Sequence, residues 1–209
     1  MVIAMGNTKA GTGKSALLLL LAHHLCLKTE KVFLIELKEN GSLGQFYERS
    51  KILEHRLPFE YFSCAPDQLP LLLSKLSEEE GACILLEFPP EGYDEHIVPL
   101  FLATDLLIVP FCYDAPTLHS TIYFACLALR IKKDISLLFL PNRLMTGAVY
   151  PFREETDRVL RQIAPVSAGI AEHIGFQRVS SMGLDKGLMR KCSAVLDLIY
   201  GNYLPRGKK

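Results

Sequence analysis

The sequence predicts an α/β fold, a doubly wound and mostly parallel sheet with helices on both faces. Two observations predict it: short apolar runs of strand length recur along the chain, and helix-length segments alternate with them. A third concerns the first connection, where a glycine-rich loop joins the first apolar run to an apolar helix. That is the order in which such folds build a phosphate site.

The strand-like runs are Val2–Met5 and residues 32–37, 82–88, 106–110 and 135–140. Each is nearly continuous in hydrophobicity rather than alternating, which is the pattern of parallel strands covered on both faces. Between them lie the predicted helices 14–28, 44–53, 66–80, 95–103 and 117–131. After Pro141 the pattern predicts a helix over 152–163 and a final one over 188–203, and it leaves 166–174 undecided between helix and strand. The leucines of 69–76 and the aromatic residues Phe59, Tyr61 and Phe62 read as core. No internal repeat or linker interrupts the order, so one domain over residues 1–209 is expected.

Composition narrows the function without naming it. About half of the residues are hydrophobic and the formal net charge is zero, so any nucleic-acid or membrane binding needs a local basic patch. Six cysteines lie far apart, with no CxxC pair and no Cys/His cluster at metal-ligand spacing, as in a reduced cytoplasmic protein. The apolar run 16–27 contains His23 and His24 and falls short of the ~20 residues a bilayer-spanning helix needs. No membrane attachment is expected. The apolar start at Val2 leaves no space for a charged leader, and the mature protein is expected to begin near Met1.

Ligands of such sheets bind at the carboxyl ends of the strands. The first of these ends carries the tail of the GxxxxGK[ST] pattern in Gly13, Lys14 and Ser15, with Thr8 where the strict pattern has glycine. Glycines let backbone N–H groups turn toward phosphate oxygens, and the helix start adds partial positive charge. Lys14 is placed to reach the β and γ oxygens, and the Ser15 hydroxyl to coordinate magnesium. The absence of an NKxD-type guanine motif favours ATP over GTP.

The stretch from Asn7 through Thr8, Lys9, Ala10, Gly11, Thr12, Gly13 and Lys14 to Ser15 resembles the deviant phosphate loop of the ParA/MinD family of dimeric ATPases, written xKGGxGK[ST]. Ala10 stands at a usual glycine. The resemblance implies ATP and Mg2+ as cofactors, a nucleotide-dependent homodimer, and a Lys9 that reaches across the dimer to the partner's phosphates. It continues in motif order: residues 35–42 (IELKENGS) resemble the first switch, 85–90 (LLEFPP) the Walker B strand and second switch, and 140–143 (LPNR) a strand end whose Asn contacts adenine. On that footing Glu36 and Glu87 replace the family's aspartates near magnesium, Glu36 with a catalytic part as well, and Asn142 is a base-binding candidate. Lys38 occupies the position of the water-orienting aspartate, and an ammonium has donors but no acceptor, so slow hydrolysis is expected.

Three functions compete. A ParA-like switch acting in partition or positioning of DNA, such as a plasmid or mobile element in a bacterium, fits Lys9 and the motif order. It implies a stimulating partner protein and nonspecific DNA binding through Arg178, Lys186, Arg190, Lys191, Arg206, Lys208 and Lys209. An ATP-dependent ligase resembling dethiobiotin synthetase shares the fold but normally lacks the extra lysine. A MinD-like positioning ATPase needs an amphipathic carboxyl-terminal helix, and residues 204–209 are short and broken by Pro205.

Overall fold

The ends of three neighbouring strands meet where the glycine-rich loop leaves the sheet, and strand order explains why. The computed structural model describes residues 1–28, 31–37, 41–89, 97–176, 179 and 186–204. Among them the strands are β1 (Val2–Met5), β2 (Val32–Glu36), β3 (Glu60–Ser63), β4 (Cys83–Glu87), β5 (Leu106–Phe111) and β6 (Ser136–Pro141). They form one sheet in the order β3-β2-β4-β1-β5-β6, with every adjacent pair parallel. The register sets Met5 beside Glu87 and Glu87 beside Glu36, so both glutamates end their strands at the same level as the loop.

The helices are α1 (Lys14–Leu25), α2 (Ser42–Ile52), α3 (Leu69–Ser77), α4 (Val98–Ala103), α5 (Ala115–Ile131), α6 (Arg153–Arg161) and α7 (Lys186–Tyr203). Two hydrophobic clusters lie on the two faces of the sheet. One gathers α1, α2 and α7 residues such as Leu18, Phe46 and Leu196, and the other gathers α3, α4 and α5 residues such as Leu73, Phe101 and Phe124. Helix α1 is apolar around most of its circumference, as a helix pressed between a sheet and another helix must be. Truncating one of its fully buried leucines, as in Leu18→Ala, is expected to cost about 2–5 kcal/mol.

The predicted doubly wound parallel sheet is observed, with two additions. Phe59 is buried as expected, but Tyr61 and Phe62 are half-buried in an edge strand, β3, that the apolar pattern did not reveal. The undecided stretch 166–174 is neither a regular strand nor a regular helix over most of its length: Val166 and Ala171 form single parallel bridges with Phe139 and Leu144, and a helical turn begins at Ile174. The predicted helix 66–80 divides into a 3-10 turn, Pro66–Gln68, and α3. None of the six cysteines is disulfide-bonded. No helix among the described residues is long and apolar enough to cross a membrane.

Candidate nucleotide site

The loop between β1 and α1 is fastened to the rest of the molecule at four residues. Asn7, fully buried, donates to the Pro110 carbonyl and to Thr121 Oγ1, both at 2.9 Å, and its Oδ1 accepts the Lys9 amide at 2.9 Å. Thr8 Oγ1 donates to the Ser120 carbonyl at 3.4 Å, Asn142 Nδ2 to the Thr12 carbonyl at 2.8 Å, and Arg143 Nη1 to the Gly11 carbonyl at 3.2 Å. Gly11 and Gly13 adopt φ of 80° and 90°, a region side chains rarely enter. Ala10 is not in that region, which explains why alanine is accommodated at a glycine position. A Cβ on Gly13 would in addition collide with Asn142 Nδ2.

Lys14 is buried at the first position of α1 and its Nζ donates back to the Asn7 and Lys9 carbonyls at 3.1 and 3.2 Å. Burial lowers its pKa and the Glu87 carboxylate opposes that shift. An ammonium folded onto loop carbonyls, at a helix amino end, is placed to exchange those partners for phosphate oxygens. Lys9 is exposed, and its ammonium has no partner among the described residues.

The two glutamates differ in what surrounds them. Glu87 Oε1 accepts from Ser15 Oγ at 2.8 Å, whereas its Oε2 is buried with no hydrogen-bond partner among the described residues. Burial pushes the Glu87 carboxyl up to about 7, against the Ser15 hydrogen bond and the Lys14 charge, with Glu36 adding a smaller push in the same direction. Both Glu36 oxygens are engaged: Oε1 accepts the Leu43 amide at 3.1 Å, and Oε2 accepts the Gly44 amide at 2.8 Å and the Tyr61 hydroxyl at 2.9 Å. Both glutamates line a cavity of about 430 Å³ together with Gly11, Gly13, Lys14, Ser15, Gly41 and Pro89.

A second cavity, of about 240 Å³, adjoins the loop on its other side and is lined by Gly13, Asn142, Arg143, Glu172, His173 and Phe176 among others. Asn142 is buried and its Oδ1 has no hydrogen-bond partner among the described residues, leaving an acceptor in the wall. Arg143, with φ 58°, ion-pairs to Glu172 at 3.0 Å and thereby ties the loop to the extended stretch after α6.

These contacts bring Ala10, Gly11, Thr12, Gly13, Lys14, Ser15, Glu36, Glu87 and Asn142 to the two cavities or the loop between them. Lys38 lies outside the described residues, as do Arg178, Arg206, Lys208 and Lys209. His23 and His24 serve packing: His23 meets the Phe59 ring edge-on at 5.1 Å, and His24 Nε2 lies 3.2 Å from Asp197 Oδ1. Sequence reasoning missed Arg143, Tyr61 and the anchoring part of Asn7. The signal for Tyr61 was absent from its own neighbourhood, since its partner Glu36 is distant in sequence.

The residues present fit a triphosphate with a divalent cation. A hydroxyl and a carboxylate already share a hydrogen bond beside a buried carboxylate oxygen with no partner among the described residues, and the buried Lys14 ammonium is adjacent. Among the described residues no three His, Cys, Asp or Glu side chains gather as a metal cage. A magnesium here would take most of its six oxygens from phosphate and water.

No family model matches the sequence, and no curated protein matches it closely. Solved structures do match. A plasmid partition protein from Borrelia burgdorferi superposes with a TM-score of 0.73 at 15% identity, covering 96% of this chain and 97% of that one. The septum site-determining protein MinD from Pyrococcus horikoshii, complexed with Mg-ADP, gives 0.72 at 17% identity over 96% and 94%. A Cyanothece McdA variant in complex with ATP gives 0.71 at 12% identity over 100% and 98%. Together with its phosphate loop, these likenesses identify the fold of this chain as that of the ParA/MinD-like P-loop ATPases.

Proposed function

We propose that this protein is a ParA-like ATP-binding switch that acts as a nucleotide-dependent homodimer in the partition or positioning of DNA. The observation that carries the nucleotide reading is the constellation of Lys14, Ser15 and Glu87 at the end of β1 and β4. Lys14 holds the β and γ phosphates, Ser15 and Glu87 orient a magnesium ion that neutralises phosphate charge, and Asn142 Oδ1 accepts from the exocyclic amino group of adenine. The exposed Lys9 beside the loop, its ammonium without a partner among the described residues, supports its reaching a second subunit's nucleotide.

Hydrolysis is slow in this reading. Placing the attacking water needs an acceptor, and phosphoryl transfer depends chiefly on such positioning. Of the described residues lining the cavity, only Glu36 and Glu87 carry carboxylates; the first already holds three donors and the second, in this reading, is committed to the Ser15-bound cation. Lys38, from the sequence, offers charge but no acceptor. The ATP form is then long-lived and its disassembly awaits a stimulating partner. Lys186, Arg190 and Lys191 are exposed on the first turns of α7 and supply the described part of a basic patch for nonspecific contact with the DNA backbone.

The testing experiment is the mass in solution with and without ATP and magnesium. A doubling that Lys9→Ala abolishes while nucleotide still binds is expected. A monomer under all conditions with nucleotide bound would remove the dimer and favour a ligase-like enzyme of the same fold.

A further inference from the structure

Two glutamates end neighbouring strands at one level of the sheet, and the sequence offers both as magnesium ligands. Their surroundings separate them. Glu36 spends its carboxylate on three donors, two of them the Leu43 and Gly44 amides in the first turn of α2. The first-turn amides of a helix have no intrahelical acceptor, and the helix start carries partial positive charge, so a carboxylate there is held by both effects. The third donor is the Tyr61 hydroxyl on β3. Burial first, and then the Glu36 carboxylate, push the Tyr61 phenol well above its ordinary value, so it remains a donor throughout the physiological range.

The approach is built into the chain around it. A Cβ on Gly41, the residue before α2, would collide with Glu36 Oε1, and one on Gly44 would stand 2.9 Å from the Tyr61 hydroxyl and 3.1 Å from Glu36 Oε2. Gly41 has φ −72°, which any residue adopts, so the absent side chain answers to space and not to backbone conformation. Space for a carboxylate is what glycine supplies at both positions. The additional methylene of glutamate over aspartate gives the reach from β2 to the helix.

We propose that Glu36 is a positioning residue and not a metal ligand: it latches the amino end of α2 to the ends of β2 and β3, leaving Glu87 as the only one of the two carboxylates that serves a Ser15-bound cation. The latch fixes Gly41 and Ser42 as one wall of the nucleotide cavity. This rests on the nucleotide reading for its metal half, while the latch itself stands on the hydrogen bonds alone.

The experiment uses the full chain with Mn2+ and a non-hydrolysable ATP analogue, reading Mn2+ affinity by electron paramagnetic resonance and the Leu43 and Gly44 amides by hydrogen exchange. Glu87→Gln is expected to weaken Mn2+ at least tenfold and leave both amides protected. Glu36→Gln and Glu36→Asp are expected to keep Mn2+ affinity within about twofold and to accelerate both amides at least tenfold, because neither restores a charged group at that reach. Tyr61→Phe, which keeps the ring, is expected to accelerate the Gly44 amide by a smaller factor and guards against a Glu36 variant that fails to fold. If Glu36→Gln loses Mn2+ as Glu87→Gln does while Glu36→Asp retains it, Glu36 is a metal ligand and the proposal is wrong. Unchanged amide protection in all three Glu36 and Tyr61 variants would also overturn it. Failure of the unsubstituted chain to bind the analogue would overturn the nucleotide reading instead, and the exchange measurement would still decide the latch.

Discussion

Glu36 and Glu87 are the same residue type, at paired register positions on adjacent strands, lining the same cavity, yet one has both oxygens hydrogen-bonded and the other has an oxygen with no partner among the described residues. What differs is the element that follows each strand. After β2 a helix start faces back onto the carboxylate; after β4 the chain runs through Phe88 and Pro89, and among the described residues the one donor to Glu87 is Ser15 in the phosphate loop. Register alone therefore does not make a carboxylate a ligand. The supply of fixed donors around it decides whether it is part of the scaffold or available to a cation.

The largest expected effect that separates the two is on cation binding. Glu87→Gln is expected to weaken magnesium-dependent ATP affinity about 10–100-fold, the range for losing a group that orients a metal site. Titration calorimetry with and without magnesium checks it, and an unchanged affinity would dissolve the distinction between the glutamates.

Stability sharpens the same comparison. Gly41→Ala presses a methyl group into the Glu36 carboxylate and is expected to cost about 1–3 kcal/mol, as overpacking does. Gly11→Ala meets no atom within 4 Å but must hold φ 80°, so it is expected to cost about 1–2 kcal/mol through the backbone alone. Urea midpoints compare them. If Gly41→Ala is silent, Glu36 is not held against the helix start.

The smallest effect is one of pH. Glu87 is shifted up from 4.5 to about 7, so the folded chain binds a proton more tightly than the unfolded chain across that window. Between pH 4.5 and 7 this group alone makes folding stability fall as pH rises. Cation binding needs the carboxylate, so magnesium-dependent ATP affinity moves the other way, strengthening by at most about tenfold per pH unit up to 7 and levelling above. The slope should vanish in Glu87→Gln, and a slope that persists there belongs to another group.

Much of the fold was legible because parallel strands buried on both faces leave unbroken apolar runs, and five of the six strands did. Edge strand β3 left no such run: its four residues, Glu60, Tyr61, Phe62 and Ser63, are none of them buried. The stretch 166–174 makes one single bridge to β6, at Val166, and one to Leu144 beyond it, at Ala171, so it carries neither a helical nor a strand period. At the site, the phosphate loop was legible because its function demands glycines and a lysine at fixed spacing. The engagement of Glu36 was not, since its three donors come from two elements and one of them, Tyr61, arrives from β3. Asn142 was legible as a strand-end residue, but its hold on the Thr12 carbonyl appears only once β6 and the loop are side by side.

The most direct measurement is calorimetric titration of ATP into the purified chain and into Lys14→Ala, each with magnesium. Saturable binding to the unsubstituted chain, lost in Lys14→Ala with the fold intact by circular dichroism, is the expected result. Equal affinity in the two proteins, or no binding to either, would contradict a nucleotide site built on the loop from Lys9 to Ser15.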